Sequence, residues 1–264
     1  VALLGTNGAG KSTLLKAISG IVEAERGAII FDGVDMTHTP PAEIAARGVA
    51  QVPGGVGTFP SLTVAENLEV AGWLNRRSTT EIEAGRARAY ALFPVLDARR
   101  DEPAANLSGG QQQMLALSMA FISRPRLLMI DELSLGLAPV IVEQLLPVLR
   151  ELRDQGTTII LVEQSVNVAL TVAETAYFME KGEIRFSGRT AELLERPDLL
   201  RSVFLEGAAA ASGAPSTNGH GDPRAATVPA APAATDGDAD VPPALETMGL
   251  TCSFGGVRAV DQVS

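Results

Sequence analysis

Four apolar residues, Val1-Ala2-Leu3-Leu4, run directly into Gly5-Thr6-Asn7-Gly8-Ala9-Gly10-Lys11-Ser12, and that junction leaves few folds open. The run fits G-x-x-x-x-G-K-[ST], a phosphate-cradling loop that needs a strand before it and a helix after it. Both contexts are legible here: the apolar stretch reads as a strand, and Lys11 to Ser19 reads as a helix stopped by Gly20. The glycines let successive N–H groups turn inward toward phosphate oxygens, and the helix N-terminus adds the positive end of its dipole. Lys11 is expected to place its charge on the β- and γ-phosphates and Ser12 to ligate Mg²⁺. Asn7, Gly8, Ala9, Gly10, Lys11, Ser12 and Thr13 are therefore the candidate cradle, and the chain is expected to bind a nucleoside triphosphate such as ATP.

A second feature carries chemistry. Leu127-Leu128-Met129-Ile130 is a buried-strand pattern that ends in Asp131-Glu132. Carboxylates at the end of an apolar strand are costly unless they meet a partner such as a metal ion. Ligands of parallel α/β sheets sit beyond the carboxyl ends of the strands. There Asp131 is expected to reach Mg²⁺ and Glu132 to polarise an attacking water. A third feature is Leu107-Ser108-Gly109-Gly110-Gln111, which opens an apolar helical run. It combines a hydroxyl, two glycines and a helix N-terminus, a further anion-binding arrangement.

Apolar runs at Ala28–Phe31, Val49–Val52, Leu127–Ile130, Thr157–Val162 and Tyr177–Met179 read as strands. Helical patterns at Ala42–Arg47, Thr63–Gly72, Thr79–Phe93, Gly110–Ser123, Val140–Gln155 and Ser165–Ala173 alternate with them. The alternation predicts an α/β fold with a mainly parallel sheet and flanking helices. Residues about 63–125 lack a clear strand and read as a helical subdomain inserted between sheet segments. Residues 207–243 are dominated by Ala, Pro, Gly, Ser, Thr and Asp and read as a disordered linker. Residues 244–264 regain β-prone character before and after Gly255-Gly256.

Composition narrows the function classes. With 21 Lys and Arg against 31 Asp and Glu, the formal net charge is −10, a poor match for a nucleic-acid backbone. Cys252 is the single cysteine, so neither a disulfide framework nor a thiolate metal site is expected, and Cys252 reads as a packing residue. His38 and His220 lie far apart and read as solvated loop residues. No run of 18 apolar residues suggests a membrane span.

Together, the phosphate loop, Leu107–Gln111, the Asp131-Glu132 strand end and Ser134-Leu135-Gly136-Leu137-Ala138-Pro139 resemble, in order and spacing, the nucleotide-binding domain of ABC transporters. The resemblance covers residues 1–206 and implies a P-loop NTPase fold. Phe59–Leu68, Gly110–Ala116, Val140–Gln144 and Leu161-Val162-Glu163-Gln164 are similar to one subgroup, the ATPases of branched-chain amino-acid importers. What the resemblance implies is a transport ATPase that binds ATP and Mg²⁺ and pairs head to tail with a second ABC ATPase domain. Each nucleotide would be held between one phosphate loop and the partner's Ser108, Gly109, Gly110 and Gln111. Ser134 would also act across that interface. Further implied partners are transmembrane permease subunits and, indirectly, an extracytoplasmic binding protein, with the ATPase on the cytoplasmic membrane face.

Some positions depart from the family. Val52-Pro53 is followed by Gly54 where a Gln or Glu is common, within a loop rich in glycine. Gln51 lies on the preceding strand and is not expected to substitute. Gln164 stands where the family usually carries a histidine. Its amide can hydrogen-bond a γ-phosphate but cannot shuttle protons as an imidazole can. With Glu132, Gln164 is the second expected catalytic residue.

The resemblance also implies strands upstream of the phosphate loop, and Leu250–Asp261, with Phe254 as its aromatic, is similar to such a segment. Two arrangements stay open: residues 244–264 begin a second ABC domain of a tandem fusion, the favoured one, or they fold back and complete the first. Other functions weighed are a soluble ABC ATPase acting on nucleic acid or ribosomes, and a degenerate domain that only binds ATP.

Overall fold

A computed structural model describes residues 1–55, 57–75, 78–134, 137–195, 244–254 and 257–263. A six-stranded sheet forms the centre. Its strands are β1 (Ala2–Leu4), β4 (Val49–Val52), β5 (Leu127–Asp131), β6 (Thr158–Glu163), β7 (Thr175–Glu180) and β8 (Glu183–Arg189), in the order β4-β5-β6-β1-β7-β8. Every pairing is parallel except that of β8 with β7. The expected mainly parallel α/β architecture is what the chain adopts.

Parallel strands need cover on both faces, and β5 shows why its apolar run is unbroken: all five of its residues are buried. Leu127 and Met129 enter one cluster with Leu14 and Leu15 of α1 (Lys11–Ile18) and Ile44 of α2 (Pro41–Ala46). Leu128 and Ile130 enter another on the opposite face, with Leu115 of α6 (Gly109–Ser123) and Leu145 and Leu149 of α7 (Pro139–Asp154). The alternation is the period of two of a strand. A third cluster seats α8 (Val166–Val172) and α9 (Thr190–Leu194) against β1 and β7.

Between β4 and β5 the described residues are mainly helical. They hold α3 (Val64–Ala71), α4 (Thr79–Leu92), α5 (Pro94–Ala98) and α6, with short 3₁₀ turns at Gly72–Asn75 and Ala104–Asn106. Thr63 opens α3 through a capping box with Glu66, whose carboxylate accepts from the Thr63 N–H at 2.7 Å. Buried Asn67 ties the entry loop down, accepting from the Phe59 N–H at 2.7 Å and donating to the Phe59, Leu62 and Thr63 carbonyls.

A second, antiparallel sheet has the order β10-β9-β2-β3, from β2 (Arg26–Phe31), β3 (Val34–Asp35), β9 (Leu245–Phe254) and β10 (Val257–Val263). Residues 245–263 thus form a hairpin laid on β2, with Ala28 opposite Met248 and Phe31 opposite Leu245. Leu250, Cys252, Val260 and Val263 share the cluster of Leu14, Leu15 and Ile18, so the hairpin walls one side of α1. Sequence-distant strands thus occupy the edge of β2. The expected linker, 207–243, and His220 lie outside the described residues.

Candidate functional site

The phosphate loop joins β1 to α1 at the carboxyl edge of the central sheet. Asn7 and Gly8 are exposed, Ala9 is buried, and Ser12 and Thr13 are half-buried in the first turn of α1. The loop follows a path that only glycine tolerates. Gly10 sits at φ +100°, and a Cβ there would fall 2.0 Å from the Ala259 carbonyl oxygen in the hairpin. The Ala9 carbonyl accepts from the Gly182 N–H at 2.9 Å, which fixes the loop to the β7–β8 turn.

Lys11 is buried, and its ammonium donates to the carbonyls of Gly5 at 2.8 Å and Thr6 at 2.9 Å. Burial pushes its pKa down, and the carboxylates of Glu132, Asp131 and Glu163, in that order, push it back up. The carboxylates of the distant strand thus act on the Lys11 ammonium.

β5 delivers those acids because it lies next but one to β1, with β6 between them. Asp131 pairs in register with Val162 and is only 9% exposed, and its Oδ1 has no hydrogen-bond partner. An orphaned buried carboxylate oxygen is an unusual and costly feature that a bound cation satisfies. Glu132 follows at φ +55°, in the left-handed region. Its N–H donates to the Val162 carbonyl at 2.9 Å. The Gln164 side-chain amide donates to Glu132 Oε1 at 2.5 Å, so the two expected catalytic residues meet.

Glu163, not anticipated as part of the site, is 1% exposed and accepts from both the N–H and the hydroxyl of Ser134, each at 2.8 Å. The signal was present: Thr157–Val162 is a second apolar strand ending in an acid.

The Gly54 loop reaches this site through its backbone, since a Cβ on Gly54 would lie 3.2 Å from the Asp131 carbonyl oxygen. Gln51 is engaged elsewhere. Its Oε1 accepts from the hydroxyl of Ser19, at the far end of α1 from Lys11, at 2.6 Å. His38 is exposed beside Glu23, 3.5 Å away, and Cys252 is buried, with burial raising its thiol pKa. Phe254 is in β9, but its side chain lies outside the description.

Ser108 caps α6 in a reciprocal box with Gln111: the Gln111 N–H donates to Ser108 Oγ at 3.4 Å, and the Ser108 N–H donates to Gln111 Oε1 at 2.9 Å. Arg99 donates to the same Gln111 oxygen at 2.8 Å and steadies it. Ser108 and Gly109 are exposed, and among the described residues no hydrogen bond joins 107–111 to the phosphate loop.

The fold and this carboxyl-edge cluster define a P-loop nucleotide-binding domain. The family described as "ABC transporter" matches residues 1–134. The chain belongs to that family, as an ATP-binding domain of its ATP-hydrolysing kind. It is 41% identical over 207 residues to the "High-affinity branched-chain amino acid transport ATP-binding protein BraG" of Pseudomonas aeruginosa, covering 78% of this chain and 88% of that one. It is 37% identical over 195 residues to the "Probable branched-chain amino acid transport ATP-binding protein LivF" of Archaeoglobus fulgidus, covering 74% and 82%. A solved structure described as an ATP binding subunit of an ABC transporter superposes with a TM-score of 0.68 at 29% identity, covering 78% of this chain and 87% of that one. Among the described residues no helix is long and apolar enough to cross a membrane.

Proposed function

We propose that this chain powers an importer for branched-chain or other hydrophobic amino acids, by ATP-driven pairing of two such domains on the cytoplasmic face of a membrane. The observation that carries the reading is the convergence of Lys11, Asp131, Glu132 and Gln164 at one sheet edge. The likeness to BraG and LivF supports the substrate class.

In this reading Asn7 to Thr13 cradle the phosphates through backbone N–H groups and Lys11. Mg²⁺ fits the residues present: Ser12 offers a hydroxyl and Asp131 an unpartnered oxygen. Among the described residues no group of three His, Cys, Asp or Glu is arranged to hold a metal alone. That agrees with an ion held by one or two side chains plus substrate phosphates. When bound, Mg²⁺ offsets charge building on the β- and γ-phosphates. Glu132 accepts the proton of the attacking water. Gln164 aims that carboxylate and bonds the γ-phosphate.

Ser108, Gly109, Gly110 and Gln111 close the site of a partner domain, for which their exposed amides are suited. The second domain, in the same polypeptide or another, is the direct partner, together with transmembrane permease subunits; a binding protein acts indirectly. Residues 207–243 are a linker, and 244–264 open a second ABC domain while their hairpin is seated on β2. The net charge of −10 argues against nucleic acid as a partner.

The test is Glu132→Gln. Hydrolysis should fall by at least about a hundredfold while MgATP still binds and a dimer accumulates on size exclusion. Turnover at the parental rate overturns the assignment. With the permease and a binding protein, hydrolysis should rise when that protein carries leucine and not when it carries a polar amino acid.

A further inference from the structure

Glu163 is a buried carboxylate that the proposed chemistry does not use. It ends β6, aligned with Leu4 of β1, one residue before Gln164. Burying an ionised carboxylate is costly, and apolar residues of similar volume commonly serve stability better. At this position the carboxylate does something an apolar residue cannot. Both of its oxygens are used on one residue, Oε1 by the Ser134 N–H and Oε2 by the Ser134 hydroxyl.

The geometry around Ser134 gives that bond a purpose. Three links tie the chain leaving β5 to the end of β6: Glu132 N–H to the Val162 carbonyl, Ser134 to Glu163, and Gln164 to the Glu132 carboxylate. Glu132 sits inside this set with a left-handed backbone at φ +55°. A non-glycine residue in that region is strained and persists only where its surroundings over-determine it. The Val162 bond holds Glu132 from below, and the Glu163–Ser134 pair holds the chain two residues further on. Leu133, between them, is fully buried. Without the second anchor the backbone is free to relax out of the left-handed region, and the Glu132 carboxylate swings with it.

We infer that Glu163 is a positioning residue: by gripping Ser134 at two points it holds Glu132 in its strained backbone conformation and so keeps the hydrolytic carboxylate aimed. The same grip joins the strand that Gln164 directly follows to the loop after β5, so the two halves of the hydrolytic pair move as one piece. This rests on the role proposed above for Glu132. Glu163 also stands among the carboxylates whose charge acts on Lys11. A purely electrostatic role would show as a changed nucleotide affinity, whereas a positioning role slows turnover and leaves binding alone.

The test uses the full chain with Glu163→Gln, Ser134→Ala, Ser134→Thr and the Glu163→Gln/Ser134→Ala pair, reading kcat and the equilibrium affinity for MgATP separately. Glu163→Gln keeps the shape but brings its amide against the two Ser134 donors. It should lower kcat about tenfold or more, with MgATP affinity within about threefold. Ser134→Ala should lower kcat less, Ser134→Thr should restore it, and the double variant should be no slower than Glu163→Gln alone. Parental kcat in Glu163→Gln, an affinity that falls in step with kcat, or losses that multiply in the double variant would each overturn the inference. If Glu163→Gln does not fold, Glu163→Asp decides: a carboxylate one methylene too short to grip Ser134 at both points should slow kcat at parental MgATP affinity, and parental kcat removes the anchor. Glu132→Gln is the control, because full turnover there sinks the hydrolytic reading itself, whereas full turnover only in Glu163→Gln sinks only this one.

Discussion

The side-chain amide of Gln164 donates to Glu132 Oε1 across 2.5 Å; Gln164 directly follows β6 and Glu132 directly follows the neighbouring β5. Where the family usually has histidine, the carboxylate thus meets an amide, which does not compete for a proton. Gln164→Ala should lower kcat about ten- to a hundredfold with little change in MgATP affinity. Gln164→His should keep measurable turnover. Steady-state hydrolysis with equilibrium nucleotide binding checks both, and an unchanged rate in Gln164→Ala would remove Gln164 from the mechanism.

Gly109 offers a clean separation of folding from pairing. A Cβ there meets nothing within 4 Å, and the residue opens α6 in ordinary helical geometry. Gly109→Ala should therefore leave stability equal or raise it by up to about 1 kcal/mol. Nucleotide binding by the single domain should be unaltered, while ATP-driven dimerisation and turnover fall at least about tenfold. Thermal melts, nucleotide titration and light scattering distinguish these effects.

Ser108 carries two duties that different substitutions can split. Its hydroxyl caps α6, so Ser108→Ala should cost about 1 kcal/mol of folding stability. Ser108→Asp keeps the cap and restores that loss, yet sets a negative charge where a partner's γ-phosphate would lie. Denaturant titration should show stability recovered in Ser108→Asp, with turnover lower than in Ser108→Ala.

Lys11 should leave a mark on the pH dependence of stability. Burial, outweighing the nearby carboxylates, lowers its pKa from 10.5. The unfolded chain therefore holds more protons than the folded one in the window below pH 10.5. Stability gains from this group as pH rises through that window, and the burial cost is fully present at lower pH. In nucleotide-free protein, the stability of the parent relative to Lys11→Met should rise with pH in the alkaline range. A flat difference would mean that Lys11 is not desolvated. Lys11→Met should also abolish the MgATP-induced rise in Tm.

The hairpin on β2 can be read through its own thiol. Cys252 is buried in β9, and burial raises its pKa, which lowers the thiolate fraction further. Maleimide labelling of the native chain should be at least about a hundredfold slower than in denaturant. Leu250→Asp, which puts a charge into the cluster shared with Leu14, should speed it. Rapid labelling of the parent chain would mean the hairpin is not seated.

The parts of this site that were legible in sequence are those where chemistry forbids substitutes. Gly10 needs a left-handed backbone against a neighbouring carbonyl, and the acids after Leu127–Ile130 break an otherwise unbroken apolar run. What escaped was set by short local signals and by distant pairing. β3 and β8 follow Asp32-Gly33 and Lys181-Gly182, turns whose residues all have positive φ, the hairpin signature. β8 alternates exposed and half-buried residues on an edge, so its pattern is weak until Phe186 is seen stacked on Phe178 at 5.3 Å. α5 hides behind α4 because Pro94 breaks the helical run and then restarts it at a first-turn position. Glu163 was visible only as a strand-end acid, since its partner Ser134 lies 29 residues earlier.

The hairpin that walls α1 has a consequence for biosynthesis. Helix α1 leaves the ribosome long before the strands that cover Leu14, Leu15 and Ile18, which emerge more than two hundred residues later. At roughly 5–20 residues per second, that interval is tens of seconds. During it the flank of α1 lacks the cover of that hairpin on the nascent chain, an opening for a holding chaperone and for mispairing between neighbouring chains on one message.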